Sequence, residues 1–245
     1  MAVTKAKSEA PGGRSLHPDD IVSLSQTRVR GQPGQDALPL LLASPAVRRA
    51  LQPVKERLLA EARAASVYTI TSAQPGEGKT LVAASLAVML AEASDKKVLL
   101  IDANMQKRSI HQLFGLAAAP GLGDCLRGES RLAQVVSEVR GLNVLPAGTG
   151  ADSARLLHTG GAKQLLDEVR RSYDLAIIDL PALASNDEAA ALCEWSDGTV
   201  MVIRANATRA SAAQQALETI DSRKLVGIVL NQQRPTLPRW LRRWF

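Results

Sequence analysis

Six short apolar runs recur along the chain: Val67–Ser72, Lys97–Asp102, Leu142–Pro146, Leu175–Asp179, Thr199–Arg204 and Leu225–Leu230. They are apolar nearly throughout rather than alternating, which is the pattern of strands covered on both faces. Segments of helical period lie between them, at 79–93, 108–114, 121–138, 153–171, 187–194 and 208–221. Strand alternating with helix predicts an α/β chain, a three-layer α-β-α fold around a mostly parallel sheet. Ahead of the first run, Pro45 to Ala65 reads as a helix with Val47, Leu51, Val54, Leu58 and Leu59 on one side. Residues 1–43 are rich in Gly, Pro, Ser and Gln without a sustained period, so a disordered arm is expected there, with Leu38 to Leu42 as a stretch able to dock. The expected division is an arm at 1–43, a folded domain at 44–231 and a tail at 232–245. Ligands of such sheets sit beyond the carboxyl ends of the strands, so the residues that leave each strand matter most.

The first run leaves into Ser-Ala-Gln-Pro-Gly-Glu-Gly-Lys-Thr at 72–80, followed by an alanine-rich helical segment. Strand, glycine loop and helix in that order form the context of a Walker A phosphate loop. Gly76 and Gly78 let the backbone curl so that successive N–H groups converge on an anion. The helix N-terminus adds unpaired donors and its dipole. Lys79 is expected to reach the outer phosphates and Thr80 to offer its hydroxyl to Mg²⁺. Residues Gln74, Pro75, Gly76, Glu77, Gly78, Lys79, Thr80 and Leu81 are thus the candidate ATP-binding stretch. The first glycine of the usual pattern is Ala73, a position that needs only a negative φ. A glycine-proline turn that merely happens to carry a lysine is the bland alternative.

Two further runs end in a carboxylate, Asp102 and Asp179. Asp179 reads as the Walker B acid that holds Mg²⁺ through its water shell. An aspartate also suits a turn, but two of them flanking a phosphate loop point to metal chemistry. The expected catalytic set is Lys79, Asp102 and Asp179, with Thr80, Asp102 and Asp179 around the metal.

Composition narrows the setting. A length of 245 residues suits one α/β domain with tails, and an aromatic content of 3% leaves the core to Leu, Val, Ile and Ala. Cys125 and Cys193 have no metal or C-x-x-C spacing and read as free thiols of a reducing compartment. No signal peptide and no uncharged stretch of about 20 apolar residues is found. The net charge of +6 is mostly local: Arg234, Arg239, Arg242 and Arg243 with no acid in 231–245 leave the rest at +2. That argues against a nucleic-acid face on the domain. On a helix starting at Pro238, Trp240, Leu241, Trp244 and Phe245 share one side, with Arg239, Arg242 and Arg243 on the other. Such a tail suits an anionic membrane surface or a membrane protein; folding back on its own domain is the alternative. Two turns bind lipid weakly, so a second contact or a homo-oligomer would be needed for stable attachment.

As a set the motifs resemble the cytoplasmic modules of bacterial tyrosine kinases, within the MinD/ParA-like P-loop ATPases. The resemblance covers about residues 66–231. It rests on the P-G-E-G-K-T loop, on Val98 to Gly115 with Ser109, His111, Phe114 and Gly115, and on Tyr173 to Pro181. Asp197 to Arg204 and Gly227 to Asn231 complete it. It implies an ATPase of exopolysaccharide or capsule assembly that works with an inner-membrane polysaccharide co-polymerase, peripheral to the membrane. It also implies Asn231 beside the adenine and Asp102 as base or metal-side carboxylate. The MinD/ParA group proper carries a lysine where this chain has Gln74, which favours the kinase branch.

The departures bear on activity. Where the family pattern D-x-D-x-R has its second Asp, this chain has Asn104, which cannot accept the proton of an attacking hydroxyl. The arginine is Gln106, although Lys107 and Arg108 follow. The family's tyrosine-rich tail is missing: the chain has two tyrosines, Tyr68 and Tyr173. The ring-assembly pattern E-x-x-R-x-x-R is not found in 45–65, and Asp152 to Leu157 replaces Asn-Pro-x-Glu-Leu-Leu. Weak or lost autokinase activity is expected, with a non-catalytic nucleotide-dependent scaffold as the alternative and a MinD/ParA-like positioning ATPase as a third reading.

Overall fold

Successive residues of a strand point to opposite faces, so a sheet covered on both sides needs residues that can be buried on each, and the inner strands of this chain supply mostly apolar ones with a few buried hydroxyls. The computed structural model describes residues 21–25, 44–62, 65–150, 155–157, 159–185 and 187–233. In chain order the elements are β1 (Ile21–Ser25), α1 (Pro45–Glu61), β2 (Ser66–Ser72), α2 (Lys79–Ala93), β3 (Val98–Asp102), α3 (Ile110–Phe114), α4 (Leu122–Leu126) and α5 (Leu132–Val135). They continue with β4 (Ser137–Val139), β5 (Leu142–Leu145), α6 (Gly160–Ser172), β6 (Leu175–Asp179), α7 (Asp187–Trp195), β7 (Gly198–Arg204), α8 (Ala210–Glu218) and β8 (Leu225–Gln233). The eight strands form one sheet in the order β1-β8-β7-β2-β6-β3-β5-β4. Every pairing is parallel except the antiparallel β4–β5 edge.

Two apolar layers follow from the alternation. Tyr68, Ile70, Leu100, Ile177, Val200 and Val202 pack with α1, α2 and α3. Val67, Leu99, Ile101, Ala176, Ile178 and Met201 pack with α4 to α8 on the other face. The three-layer expectation is met. Helix α2 is buried at every position from Val82 to Leu90, because it lies between the sheet and α1. That is why its sequence is alanine-rich and has no polar stripe.

Three segments differ from the sequence expectation. Residues 21–25, within the arm expected to be disordered, form the edge strand β1 on β8; Val22 and Leu24 are buried while Ile21 and Ser23 face out. Alternation drives this half-buried strand, but five residues in a polar stretch are too few to stand out. The single helix expected at 121–138 is two short helices and β4. The first ends at Leu126, and Gly128 just beyond it, with φ of +74°, turns the chain away from the helix. Arg140 and Gly141, with φ of +54° and +80°, then close a tight β4–β5 hairpin. The helix expected at 153–171 begins at Gly160 instead. Leu38 to Leu42 and the tail at 234–245 lie outside the described residues.

A buried carboxylate joins α4 to the loop that leaves β5. Asp124 Oδ2 accepts the N–H groups of Gly121 (2.7 Å) and Thr149 (3.2 Å), and Oδ1 accepts from the Thr149 hydroxyl (2.7 Å) and Arg127 Nη2 (2.6 Å). Gly121 and Gly148 pass so closely that a Cβ on either would collide with the other's backbone. This joint sits at the carboxyl end of β5, beside β3.

The register sets up the site. On adjacent strands Asp102 of β3 pairs level with Asp179 of β6, and Asp179 pairs with Ile70 of β2. Both aspartates therefore stand at the same height as the chain leaving β2 toward the phosphate loop. Among the described residues no helix is long and apolar enough to cross a membrane.

Candidate functional site

The loop after β2 adopts the curl that its glycines predict. Gly76 and Gly78 have φ of +85° and +93°, a region that side-chain-bearing residues rarely occupy. At Gly78 an added Cβ would strike the Asn231 amide, so this position needs glycine for space as well as for φ. Ala73 keeps a negative φ and is fully buried, so the missing first glycine costs the loop nothing.

Glu77 supports the loop from behind. Its side chain is buried, and its carboxylate accepts the N–H groups of Gln74 (2.9 Å) and Arg204 (3.3 Å) and the Thr208 hydroxyl. Its carbonyl accepts the Asn231 amide at 2.8 Å. The loop is thereby tied to the ends of β7 and β8 and to the turn before α8. Asn231, which the family pattern sets beside the adenine, lies behind Gly78; its oxygen accepts the Gln232 N–H at 2.8 Å. Gln74, Pro75 and Gly76 are exposed at the loop's crest.

Beneath the loop the expected metal-side groups meet. The Thr80 hydroxyl donates to Asp179 Oδ2 at 2.6 Å, and Lys79 Nζ stands 3.8 Å from Asp179 Oδ1 and 3.5 Å from Thr80 Oγ1. Asp179 is fully buried, and its Oδ1 has no hydrogen-bond partner in the protein. Burial pushes its pKa up to about 7; Lys79 pulls it down, and Asp102 pushes it further up. An orphaned buried carboxylate oxygen beside a hydroxyl at a helix N-terminus fits a Mg²⁺ ion with its waters.

Asp102 is arranged differently. It too is fully buried, but Oδ1 accepts the Asn104 N–H and Oδ2 accepts those of Ser109 and Ile110, each at 3.1 Å. Burial pushes its pKa up to about 6, against the pull of these three N–H groups and of Lys79. The chain from Ala103 to Ile110 is thus folded around one carboxylate. A further turn, Lys107 N–H to Asn104 C=O at 3.0 Å, closes its tip.

Between this loop and the phosphate loop lies an open cleft of about 360 Å³. Gly76, Gly78, Lys79, Thr80 and Leu81 line one side; Asn104, Lys107, Ser109, Gln112 and Leu113 line the other. The second wall was not assigned from the sequence beyond Asn104. Ser109 and Lys107 stand in the motif region, but nothing in a one-dimensional pattern says which side chains turn inward.

Neither tyrosine is presented as a phosphate acceptor. Tyr68 is buried, its hydroxyl donates to the Leu58 carbonyl at 3.4 Å, and burial raises its pKa to about 12. Tyr173 is buried with the Lys97 ammonium 4.7 Å from its ring centroid. Incubation of the folded protein with Mg-ATP is therefore expected to give no phosphotyrosine on this chain. Mass spectrometry that found phosphate on either residue would contradict the geometry.

Known proteins share this chain's fold and much of its sequence. The family model for the AAA domain matches residues 65–226. Tyrosine-protein kinase YwqD of Bacillus subtilis (strain 168) is 40% identical over 168 residues, covering 66% of this chain and 70% of its own length. The succinoglycan biosynthesis transport protein ExoP of Rhizobium meliloti (strain 1021) is 33% identical over 174 residues, 68% of this chain but 22% of its own length. The chain therefore spans most of YwqD and less than a quarter of ExoP. Among solved structures, the kinase domain of Escherichia coli tyrosine kinase Etk has a TM-score of 0.77 at 24% identity, covering 89% of this chain and 91% of that one; this likeness speaks for the fold. The chain belongs to the AAA-domain P-loop ATPases and, within them, to the bacterial tyrosine-protein kinase family.

Proposed function

We propose that the protein binds Mg-ATP in the cleft between the two loops and serves as the ATPase module of a machine that makes or exports an exopolysaccharide. Its setting is peripheral to the inner membrane, on a co-polymerase of the chain-length-determinant type, with the basic aromatic stretch 238–245 as a second contact. The observation that carries the nucleotide part is the Thr80–Asp179 pair under Lys79, with one Asp179 oxygen left over. The similarity to YwqD, a tyrosine-protein kinase, and to ExoP, a succinoglycan biosynthesis transport protein, supports the setting.

In this reading the loop N–H groups and Lys79 bind the phosphates, while Thr80 and Asp179 hold the ion. Mg²⁺, when bound, supplies charge neutralisation on the phosphate oxygens. Asp102 acts at one remove, fixing the wall that carries Asn104. Asn231 borders the base from behind Gly78. Phosphoryl transfer is weak, because Asn104 offers an amide where a carboxylate would accept a proton.

A second reading, a nucleotide-dependent scaffold without turnover, is favoured by one observation. The residues that line the cleft include no carboxylate, and both Asp102 oxygens are taken by backbone N–H groups. Mg-ATP turnover by the wild type, Lys79→Met and Asn104→Asp separates the two. Slow phosphate release that vanishes in Lys79→Met and rises at least about tenfold in Asn104→Asp is expected, since a positioned general base contributes about 10²–10⁴. Nucleotide binding with no turnover in either the wild type or Asn104→Asp would leave the scaffold. Absence of Mg-ATP binding would end both readings.

A further inference from the structure

The cleft wall opposite the phosphate loop carries four donor side chains beside Leu113. Asn104 and Gln112 offer amides, Ser109 a hydroxyl and Lys107 an ammonium. No carboxylate lines either wall, and among the described residues no ion pair involves Lys107. Asp179, the acid nearest the loop, faces Lys79 from beneath. Lys107 is thus a second cation on the cleft.

The neighbouring candidates are placed elsewhere. Arg108 directs its Nε to the Met105 carbonyl at 3.0 Å. Gln106 is exposed and carries no charge. Lys107 itself sits at the tip of a short loop held at its base by the three N–H bonds to Asp102 and at its tip by the turn to Asn104. A loop pinned in this way presents its outermost side chain from a fixed backbone, which lowers the ordering cost of any contact that side chain makes. An ammonium on a flexible stem is a point charge suited to a phosphate oxygen whose position is set by other groups.

We propose that Lys107 is a phosphate-binding residue, the second cation to grip the polyphosphate of the nucleotide across the cleft from Lys79. Gln106, one position before it, is neutral, and the Arg108 Nε is turned to the Met105 carbonyl, so the charge that this stretch brings to the cleft lining is that of Lys107. This inference rests on the nucleotide-binding reading given above. It adds that the wall loop takes part in the binding and that the loop's contribution is electrostatic.

The test is equilibrium binding of Mg-ATP, Mg-ADP and adenosine to the full chain at two salt concentrations, for Lys107→Ala, Lys107→Arg, Gln106→Ala and Arg108→Ala. Lys79→Met serves as control. Lys107→Ala is expected to weaken Mg-ATP about tenfold, the scale of one charge-assisted contact, and to leave adenosine unchanged. It should also flatten the salt dependence. Lys107→Arg should restore most of the affinity, and Gln106→Ala and Arg108→Ala should stay within about twofold, since neither side chain is directed into the cleft. Wild-type binding that depends on Lys79 but is unmoved by Lys107→Ala overturns the role of Lys107 alone. Wild-type binding that is absent, or indifferent to Lys79→Met, overturns the nucleotide reading itself and this inference with it. A loss shared equally by Mg-ATP and adenosine would show a collapsed loop instead of a lost charge, and would also count against the proposal.

Discussion

Lys79→Met is expected to weaken Mg-nucleotide binding about 100-fold or more and to abolish turnover, through two losses that add. The first is the cation that meets the outer phosphates. The second follows from what lies beneath it. Asp179 is fully buried, and Lys79 at 3.8 Å is the only group favouring its charge apart from the Thr80 hydroxyl. With burial already pushing the carboxyl up to about 7, removal of the ammonium drives it further up. The carboxyl then holds its proton more tightly, and Mg²⁺ must displace that proton to bind there. A 100-fold loss corresponds to about 2.8 kcal/mol, readable by titration with a fluorescent nucleotide. Affinity within about threefold of the wild type would mean that the ligand does not use this loop.

The largest expected effect on stability lies away from the cleft. Asp124→Ala removes the acceptor for two backbone N–H groups and a hydroxyl at a buried joint. Orphaned buried donors cost about 1–3 kcal/mol each, whereas Arg127 is partly exposed and keeps Glu129 as a partner, so its share of the loss is small. Equilibrium unfolding in urea is expected to show a loss on the scale of the orphaned donors. Asp124→Asn should lose roughly half as much. Its amide oxygen can replace Oδ2, which takes both N–H groups, while its nitrogen opposes Arg127 Nη2 where Oδ1 accepted. The pH dependence has a definite sign. Burial pushes the Asp124 pKa up, but the Thr149 hydroxyl, the two N–H groups and Arg127 outweigh it and hold the carboxyl below its ordinary value. The stability it adds is therefore fully present above the unfolded carboxylate pKa of about 3.9. It is lost as pH falls through the lower folded value, and Asp124→Ala should lack that part of the acid transition.

What could be read from the sequence is what local chemistry dictates. The phosphate loop was legible because Gly76 and Gly78 are required by backbone conformation, and because a strand and a helix flank them in order. Asp179 was legible for the same reason, and its pairing with Thr80 needs only that both leave neighbouring strands at one level. Asp102 shows the limit. A carboxylate at a strand tip can be a metal-side group or an anchor for the loop that follows, and its three N–H bonds from residues 104, 109 and 110 follow from a chain path that no local pattern announces. Glu77 reads as one more residue of the phosphate loop, yet its side chain turns inward to Arg204 and Thr208, far away in sequence. The short elements were missed where the signal was too brief. β4 has three residues, and β1 shows a period of two over just five. Helix α6 begins at Gly160, later than the apolar pattern from 153 suggests, with Gly160 and Gly161 in its first turn.

Among the described strands, the first in chain order finds its place last. Within the described sheet β1 has one neighbour, β8, the last of the described strands in chain order. Ile21 to Ser25 must therefore wait for Ile228 to Gln233 before it can pair, whereas β4 and β5 close their hairpin across two residues. Such a pairing has close to the largest sequence separation the chain allows, and contacts of that kind form slowly because the intervening chain must be ordered first. During translation the phosphate loop, Asp102 and Asp179 all precede the strand that completes the edge. The sheet thus acquires its chemistry before it acquires its border, and for that interval the rim of β7, later covered by β8, stands open to whatever else can add a strand.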